Sequence, residues 1–142
     1  MATQEDAQAA VDAVVSRLGL KAGQIIQEFG YDEDTDPDFR SSIEAVTGED
    51  LVDEDFGDVT DGSLVWFRDG DDDLADLLMD AQTLLDDGAA VCVCTPKAGL
   101  PGHVQPRDVQ EAASVAGLHA TSTFVLGNRW TATYLVEKGR SK

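Results

Sequence analysis

A continuous run of small apolar residues past the middle of the chain constrains the fold more than any other feature. Residues 89–95 read Ala-Ala-Val-Cys-Val-Cys-Thr, with no charged side chain and no alternation of polar and apolar positions. Such a run is typical of a strand covered on both faces, as strands in the middle of a parallel sheet are. The chain must therefore supply helices to both faces of a sheet, which favours an α/β domain.

Helical and extended patterns alternate along the rest of the chain. Before the run they predict, in order, a helix within 1–19, a strand at 24–29, a helix from Asp36 to Gly48, a very short strand at 51–52, a turn at 61–62, a strand at 63–67 and a helix from Leu74 to Leu85 ended by Gly88. After it they predict a loop, a helix from Pro106 to Gly117 and a hairpin of strands at 119–126 and 129–137. This order predicts one three-layer, Rossmann-like α/β domain over residues 20–138, with a mostly parallel sheet, a C-terminal antiparallel hairpin and helices on both faces. Residues 139–142 are expected to fray.

Negative charge is concentrated in one part of the chain. Of 28 acidic residues, 19 fall within 28–76, where Arg40 and Arg68 are the only bases. Such a field repels nucleic acid and anionic membranes and attracts cations or basic protein surfaces. We therefore expect a basic protein partner and no direct binding of nucleic acid or membrane, while the oligomeric state and a role of the charge in solubility alone stay open. The candidate contact residues are Asp53, Glu54, Asp55, Asp71, Asp72 and Asp73.

The two cysteines bear on both location and chemistry. A chain with two cysteines and no basic segment followed by an apolar run at its start favours the cytoplasm. Cys92 and Cys94 lie two apart on a predicted strand, so their side chains share one face about 6.5–7 Å apart, too far for a relaxed disulfide. The spacing predicts core packing, with a redox-sensing pair as the alternative.

Acidic residues also alternate after the first predicted strand, as in the start of a calcium-binding loop. Asp32, Asp34 and Asp36 show this spacing, but an EF-hand would need glycine sixth and glutamate twelfth, where Pro37 and Ile43 stand. We predict no dedicated metal site. The three acids are candidates for a weak, non-selective cation site only.

The loops after the predicted parallel strands are the expected place for a ligand, because open α/β sheets bind ligands at the carboxyl ends of their strands. At that edge the sequence places five candidate binding residues, which are Glu28, Gly30, Asp32, Lys97 and His103. The sequence contains no evident nucleophile with a paired base. We therefore predict no catalytic residue and no bound cofactor.

From Leu64 onward the order of elements resembles the second half of an S-adenosylmethionine-dependent methyltransferase domain. The matching features are Leu-Leu-Asp-Asp-Gly at 84–88 before a strand, a helix ending at Ala-Gly-Leu at 116–118, and the closing antiparallel hairpin. Those enzymes carry a Gly-rich turn at their first strand, which lets the backbone approach the cofactor. Here residues 28–34 read Glu-Phe-Gly-Tyr-Asp-Glu-Asp, with one glycine. The resemblance implies the fold, and only Glu28 or Asp32 would correspond to the acid that holds a methionine amino group.

Five segments are similar to an uncharacterised family of small acidic actinobacterial proteins, a domain of unknown function. They are Gln-Glu-Phe-Gly at 27–30, Leu-Val-Asp-Glu-Asp at 51–55, Thr-Pro-Lys-Ala-Gly at 95–99, Gly-His-Val at 102–104 and Ala-Gly-Leu at 116–118. The resemblance implies a bacterial cytoplasmic protein and supplies no catalytic residue. Our hypothesis is a non-catalytic regulatory or adaptor domain that binds a basic protein surface through residues 28–76. The alternatives are a small-molecule or cation-binding domain at the carboxyl edge of the sheet, and a divergent methyltransferase.

Overall fold

Five strands and three helices make up the fold in the computed structural model, which describes residues 15–16, 18–71, 73–127 and 129–137. The elements are β1 (Ile26–Phe29), α1 (Pro37–Thr47), β2 (Thr60–Trp66), α2 (Leu74–Ala81), β3 (Leu85–Pro96), α3 (Pro106–Val115), β4 (Leu118–Leu126) and β5 (Trp130–Glu137). They form one sheet in the order β1-β2-β3-β5-β4. β1, β2 and β3 are parallel, and β5 runs antiparallel to β3 and β4. The predicted Rossmann-like architecture with its C-terminal hairpin is confirmed.

Both faces of the sheet are covered, as the apolar run in β3 requires. Cys92 and Cys94 belong to the core on the face covered by α1, which contributes Phe39 and Ile43. Val91 and Val93, which alternate with the cysteines along β3, belong to the core on the opposite face, together with side chains of α2 and α3. Because successive side chains of a strand point to opposite faces, an uninterrupted apolar run fills both cores.

The ends of α1 follow local signals that the sequence carries. Asp36 Oδ1 accepts a hydrogen bond of 3.0 Å from Phe39 N, which satisfies one of the free amides of the first turn. Gly48 ends the helix with φ +74°, and its N–H donates to Glu44 O at 2.8 Å. The predicted helix from Asp36 to Gly48 is confirmed.

The predicted end of the next helix is wrong, because α2 stops at Ala81 rather than Leu85. The Gln82 side-chain amide donates to Leu78 O and to Ala116 O. In a longer helix, Leu78 O would accept from the backbone N–H of Gln82 instead. Leu84 O then accepts from Thr60 N at 2.8 Å, which places this segment beside β2. Residues 85–90, including Gly88, therefore belong to β3.

The turn predicted at 61–62 is also wrong, because Asp61 and Gly62 lie inside β2. Asp61 N donates to Ile25 O, and Asp61 Oδ2 accepts from Ile25 N, both at 2.8 Å. Gly62 is paired with Ile26. This contact with a strand 36 positions earlier extends the segment and overrides the local preference of Asp-Gly for a turn.

The two margins of the sheet differ. Beyond β1, the predicted short strand at 51–52 is reduced to one parallel bridge between Gln27 and Val52. At the other margin, β4 is an outer strand without Asp, Glu, Lys or Arg, and its residues 121–123 and 125 are exposed.

The predicted amino-terminal helix lies outside the described residues apart from the helical residues 15–16, as does the tail at 139–142. Within the described ranges, none of the helices combines the length and apolarity needed to cross a membrane.

Candidate functional site

A buried ion pair stands at the carboxyl end of β1. Glu28 is only 6% exposed, and its two carboxylate oxygens accept from Arg40 Nε at 2.7 Å and Arg40 Nη2 at 2.8 Å. The oxygen bound to Nε also accepts from Trp66 Nε1 at 2.8 Å. The hydrogen bond to Glu28 raises the pKa of Arg40, whose guanidinium lies 4.4 Å from the centre of the Tyr31 ring. Both oxygens of Glu28 are therefore engaged by protein groups.

A second arginine joins the carboxyl ends of β1 and β2. Arg68 Nη1 donates to Gly30 O at 2.8 Å and to Trp66 O at 3.3 Å. The same guanidinium forms two hydrogen bonds with the Asp34 carboxylate and lies 5.3 Å from the centre of the Trp130 ring. The hydrogen bond from Arg68 lowers the pKa of Asp34. Arg68 thus lies across the crevice where the two strands end.

Gly30 is required here by the packing of the protein itself. Its backbone has φ +76°, a conformation that side chains rarely adopt. A Cβ atom at this position would lie 2.2 Å from Trp66 O, well inside a van der Waals contact. The backbone of Gly30 therefore packs against β2 on the side where a side chain would project.

These contacts do not fit S-adenosylmethionine. Glu28 is held by Arg40 and Trp66, and the one glycine of the turn faces Trp66. Arg68 bridges the crevice through Gly30 O, and Asp32, the remaining acid of the expected pair, accepts at 2.7 Å from Glu33 N. The site offers neither an open Gly-rich turn nor a free buried acid for a methionine amino group.

The three acids proposed for a cation have separate roles. Asp32 caps its own turn, Asp34 is paired with Arg68, and Asp36 caps α1. Across the described ranges, no group of three or more His, Cys, Asp or Glu side chains is arranged to hold a metal ion. The alternation of acids in the sequence therefore does not bring these carboxylates onto a common point.

An open groove of about 880 Å³ runs from the carboxyl ends of β1 and β2 to α2. We call it the acidic groove, after the six exposed carboxylates that line it: Asp32, Glu54, Asp71, Asp73, Asp76 and Asp80. Among its described lining residues the one base is Arg68, which is already paired with Asp34. A neighbouring hollow of about 500 Å³ shares Tyr31 and Glu54 with it and adds Asp53 and Asp55.

Some of these carboxylates also stabilise the local structure. Asp73 accepts from Asp76 N at 3.2 Å as the cap of α2, and Asp71 accepts from Arg68 N at 3.1 Å. Glu54 Oε2 accepts from Gly30 N at 3.2 Å. Asp76 and Asp80 take part in none of the ion pairs between described residues. These two are therefore the groove acids whose negative charge is least compensated.

Five of the six predicted contact residues lie along this continuous edge, and Asp72 lies outside the described residues. Sequence reasoning missed Asp76 and Asp80. Both follow Asp73 at helical spacing, on a helix whose other face is buried. This spacing in the sequence predicts that Asp76 and Asp80 lie on the same exposed face of α2 as Asp73.

The five candidate binding residues share one edge of the sheet without sharing a cavity. Gly30 and Asp32 line the acidic groove, and Glu28 is buried beside it. His103 instead lines a pocket of about 70 Å³ beside α3, with Nδ1 2.9 Å from Pro96 O. Lys97 N donates to Arg129 O at 2.9 Å, and Lys97 is not part of the groove lining.

Both cysteines lie in the core rather than at a reactive surface. Cys92 is 6% exposed and Cys94 is fully buried. Burial raises the pKa of the Cys94 thiol well above its ordinary value, which disfavours the thiolate that redox chemistry needs.

We expect Cys94 to resist a bulky aromatic disulfide reagent in the native protein at mildly alkaline pH. Both thiols should react at once in denaturant, because unfolding removes the burial that holds Cys94 neutral. Release of the coloured thiol measures this. Rapid native modification of Cys94, located by peptide mass spectrometry, would contradict its burial.

Comparison with known proteins identifies relatives of this chain in sequence and in fold. Residues 15–139 match the family described as protein of unknown function DUF3052. The chain is 51% identical over 121 residues to uncharacterized proteins of Mycobacterium tuberculosis (Rv2239c) and Mycobacterium bovis (Mb2263c), covering 85% of this chain and 76% of each relative.

Solved structures of methyltransferases share the fold at low identity. A SAM-dependent methyltransferase from Aquifex aeolicus has a TM-score of 0.62 at 12% identity, covering 89% of each chain. Magnesium protoporphyrin IX methyltransferase from Synechocystis PCC 6803 has a TM-score of 0.57 at 13% identity, covering 92% of this chain and 79% of the enzyme. At such identity the likeness concerns the fold alone. With its methyltransferase-like fold and its match over residues 15–139, the chain belongs to the DUF3052 family.

Proposed function

We propose that the acidic groove holds a lysine- or arginine-rich segment of another protein, and that the chain is a non-catalytic adaptor. One observation carries this proposal. Six exposed carboxylates line one open groove, and its one described base is already neutralised by Asp34. A basic segment would relieve the mutual repulsion of these carboxylates as it binds.

The geometry favours several contacts over a single strong one. An exposed ion pair contributes only about 0.2–1 kcal/mol, so one ammonium group would bind weakly. A groove of about 880 Å³ has room for a run of side chains that contacts several carboxylates together. Guanidinium groups suit this lining, because each can form two parallel hydrogen bonds with a carboxylate.

Two alternatives have less support from the residues present. Methyl transfer has the fold in its favour, but Glu28, Gly30 and Arg68 do not fit its cofactor. A small-molecule site that combines Asp32 with Lys97 and His103 would need one cavity, whereas His103 lines a separate pocket.

Neutralising the two uncompensated acids of the groove tests the proposal. We expect the Asp76→Asn/Asp80→Asn variant to bind a fluorescent octa-arginine peptide about 3- to 10-fold more weakly than the unmodified chain. Fluorescence anisotropy at about 0.1 M salt gives the Kd. The difference should disappear near 1 M salt, where the electrostatic range falls from about 10 Å to about 3 Å.

The matched control removes the same charge elsewhere. Asp108 and Glu111 are exposed on α3, and Asp108 lies in a first helical turn, as Asp76 does. Asp108→Asn/Glu111→Gln should change the Kd by about 2-fold or less. Equal weakening by both variants would mean that only net charge attracts the peptide. Tight S-adenosylmethionine binding in calorimetry, weakened by the groove variant, would favour methyl transfer instead.

A further inference from the structure

A cavity of about 200 Å³ lies at the amino-terminal ends of β1, β2 and β3, at the opposite edge of the sheet from the acidic groove. It opens on the face of the sheet covered by α1. Its apolar walls are formed by Leu18, Ile26, Ile43 and Leu64. The acidic groove and this cavity share no lining residue.

The space exists because the lining residues on β2 and β3 are small. Gly62 and Ala90 are paired across the two strands, and both border the cavity. Ala90 lies two positions before Cys92, so its side chain shares the face that Cys92 occupies in the core. A larger residue at position 90 would therefore extend into the cavity.

The two ionisable side chains at the cavity, Asp61 and Tyr134, offer no free hydrogen-bond donor. Asp61 contributes a carboxylate whose Oδ2 accepts from Ile25 N, while its Oδ1 accepts no hydrogen bond from the described part of the chain. The Tyr134 hydroxyl already donates to Leu18 O at 3.3 Å, and burial raises the pKa of this phenol. Among the described lining residues none is a lysine or arginine. A guest with an N–H or O–H donor, or an ammonium group, is complementary to this lining, and an anion is not.

We propose that this cavity is a second binding site, for a compact neutral or cationic molecule with an apolar body and one hydrogen-bond donor. An apolar cavity of about 150 Å³ holds benzene, so about 200 Å³ suits a guest of about 8–10 non-hydrogen atoms. Leu18, Ile26, Ile43 and Leu64 contact the apolar body, and Asp61 accepts from the donor. The site is independent of the proposed binding of a basic segment.

Three probes of similar size and different charge test the inference. Indole, benzylamine and benzoate are titrated into the isotope-labelled full chain, and amide chemical shifts are followed by NMR. We expect indole and benzylamine to shift the amides of Ile26, Gly62 and Cys92 with a Kd on the order of 0.1–1 mM. Benzoate should leave them unchanged, because its carboxylate faces Asp61.

Two variants separate the cavity from general surface binding. Ala90→Leu should weaken both binding probes at least about 10-fold by filling the space, whereas Ala45→Leu, on the exposed side of α1, should not. Asp61→Asn keeps an oxygen for Ile25 N and removes the charge, so it should weaken benzylamine about 3-fold or more and leave indole unchanged. This second variant keeps the test decisive if Ala90→Leu fails to fold.

Several outcomes would overturn the inference. They are the absence of shifts at Ile26, Gly62 and Cys92 with indole and benzylamine, equal binding of benzoate, and shifts confined to the acidic groove. Unchanged probe affinity in a folded Ala90→Leu variant would equally exclude the cavity as the site.

Discussion

Replacing Gly30 with alanine is expected to lower the free energy of unfolding by about 3–5 kcal/mol, from backbone strain together with overpacking. The new Cβ would lie 2.2 Å from Trp66 O, and that oxygen belongs to β2, which cannot move aside alone. The substitution also imposes a side chain on a backbone with φ +76°. Urea denaturation followed by tryptophan fluorescence measures the loss, since Trp66 and Trp130 are both buried.

Gly48→Ala separates the contact from the strain. Gly48 has φ +74°, nearly the value of Gly30, but a Cβ there would meet nothing within 4 Å. Its replacement should therefore cost only about 1–2 kcal/mol. Equal losses for the two variants would show that Gly30 does not pack against Trp66 as described.

Replacing Glu28 with glutamine is expected to cost about 2–4 kcal/mol, the second largest effect. Removal of one partner from a buried ion pair leaves the other charge uncompensated, with a typical loss of about 3–5 kcal/mol. Arg40 is 27% exposed, so water offsets part of that loss. The amide keeps a single acceptor for the three donors that now bind Glu28. The same urea titration measures the change.

Glu33→Gln is the matched control for this loss. Glu33 lies in the loop that follows β1, is exposed, and is absent from the ion pairs between described residues. Its replacement should change the free energy of unfolding by less than about 0.5 kcal/mol. A Glu28→Gln variant as stable as this control would mean that the Glu28–Arg40 pair contributes nothing to stability.

The parts of the fold that the sequence predicted correctly depend on short-range signals. Asp36 and Gly48 define α1 through contacts within four residues, and the run in β3 records burial on both faces. The two errors have a common cause. The end of α2 is determined by the bond from Thr60 N to Leu84 O, and the extended form of Asp61 by its pairing with Ile25. Neither contact leaves a periodic trace in the sequence.

The sequence likewise predicted one part of the candidate site, its acidic residues, and not the other, the contacts of its two arginines. Local charge density located the acidic segments, and the parallel pairing of β1 with β2 brings those around Asp32, Glu54 and Asp71 to one edge. The role of Glu28 was hidden, since its partners Arg40 and Trp66 are 12 and 38 positions away. In the sequence, Arg68 is recognisable only as one of two bases within residues 28–76. Its position across the crevice follows from its hydrogen bonds to Gly30 O and Asp34, which the sequence does not show.

The outer strand β4 and the acidic groove lie at opposite margins of the sheet and differ in charge. β4 contains no Asp, Glu, Lys or Arg and lies at the far end of the strand order from β1 and β2, whose ends border the groove. Among the described residues, the molecule therefore has its negative charge concentrated near one margin of the sheet and none on the outer strand at the other. In the field of a basic partner it would rotate before contact, so that the groove arrives first and β4 trails. Charge arranged in this way acts mainly on the rate of productive encounter, and less on the lifetime of the complex.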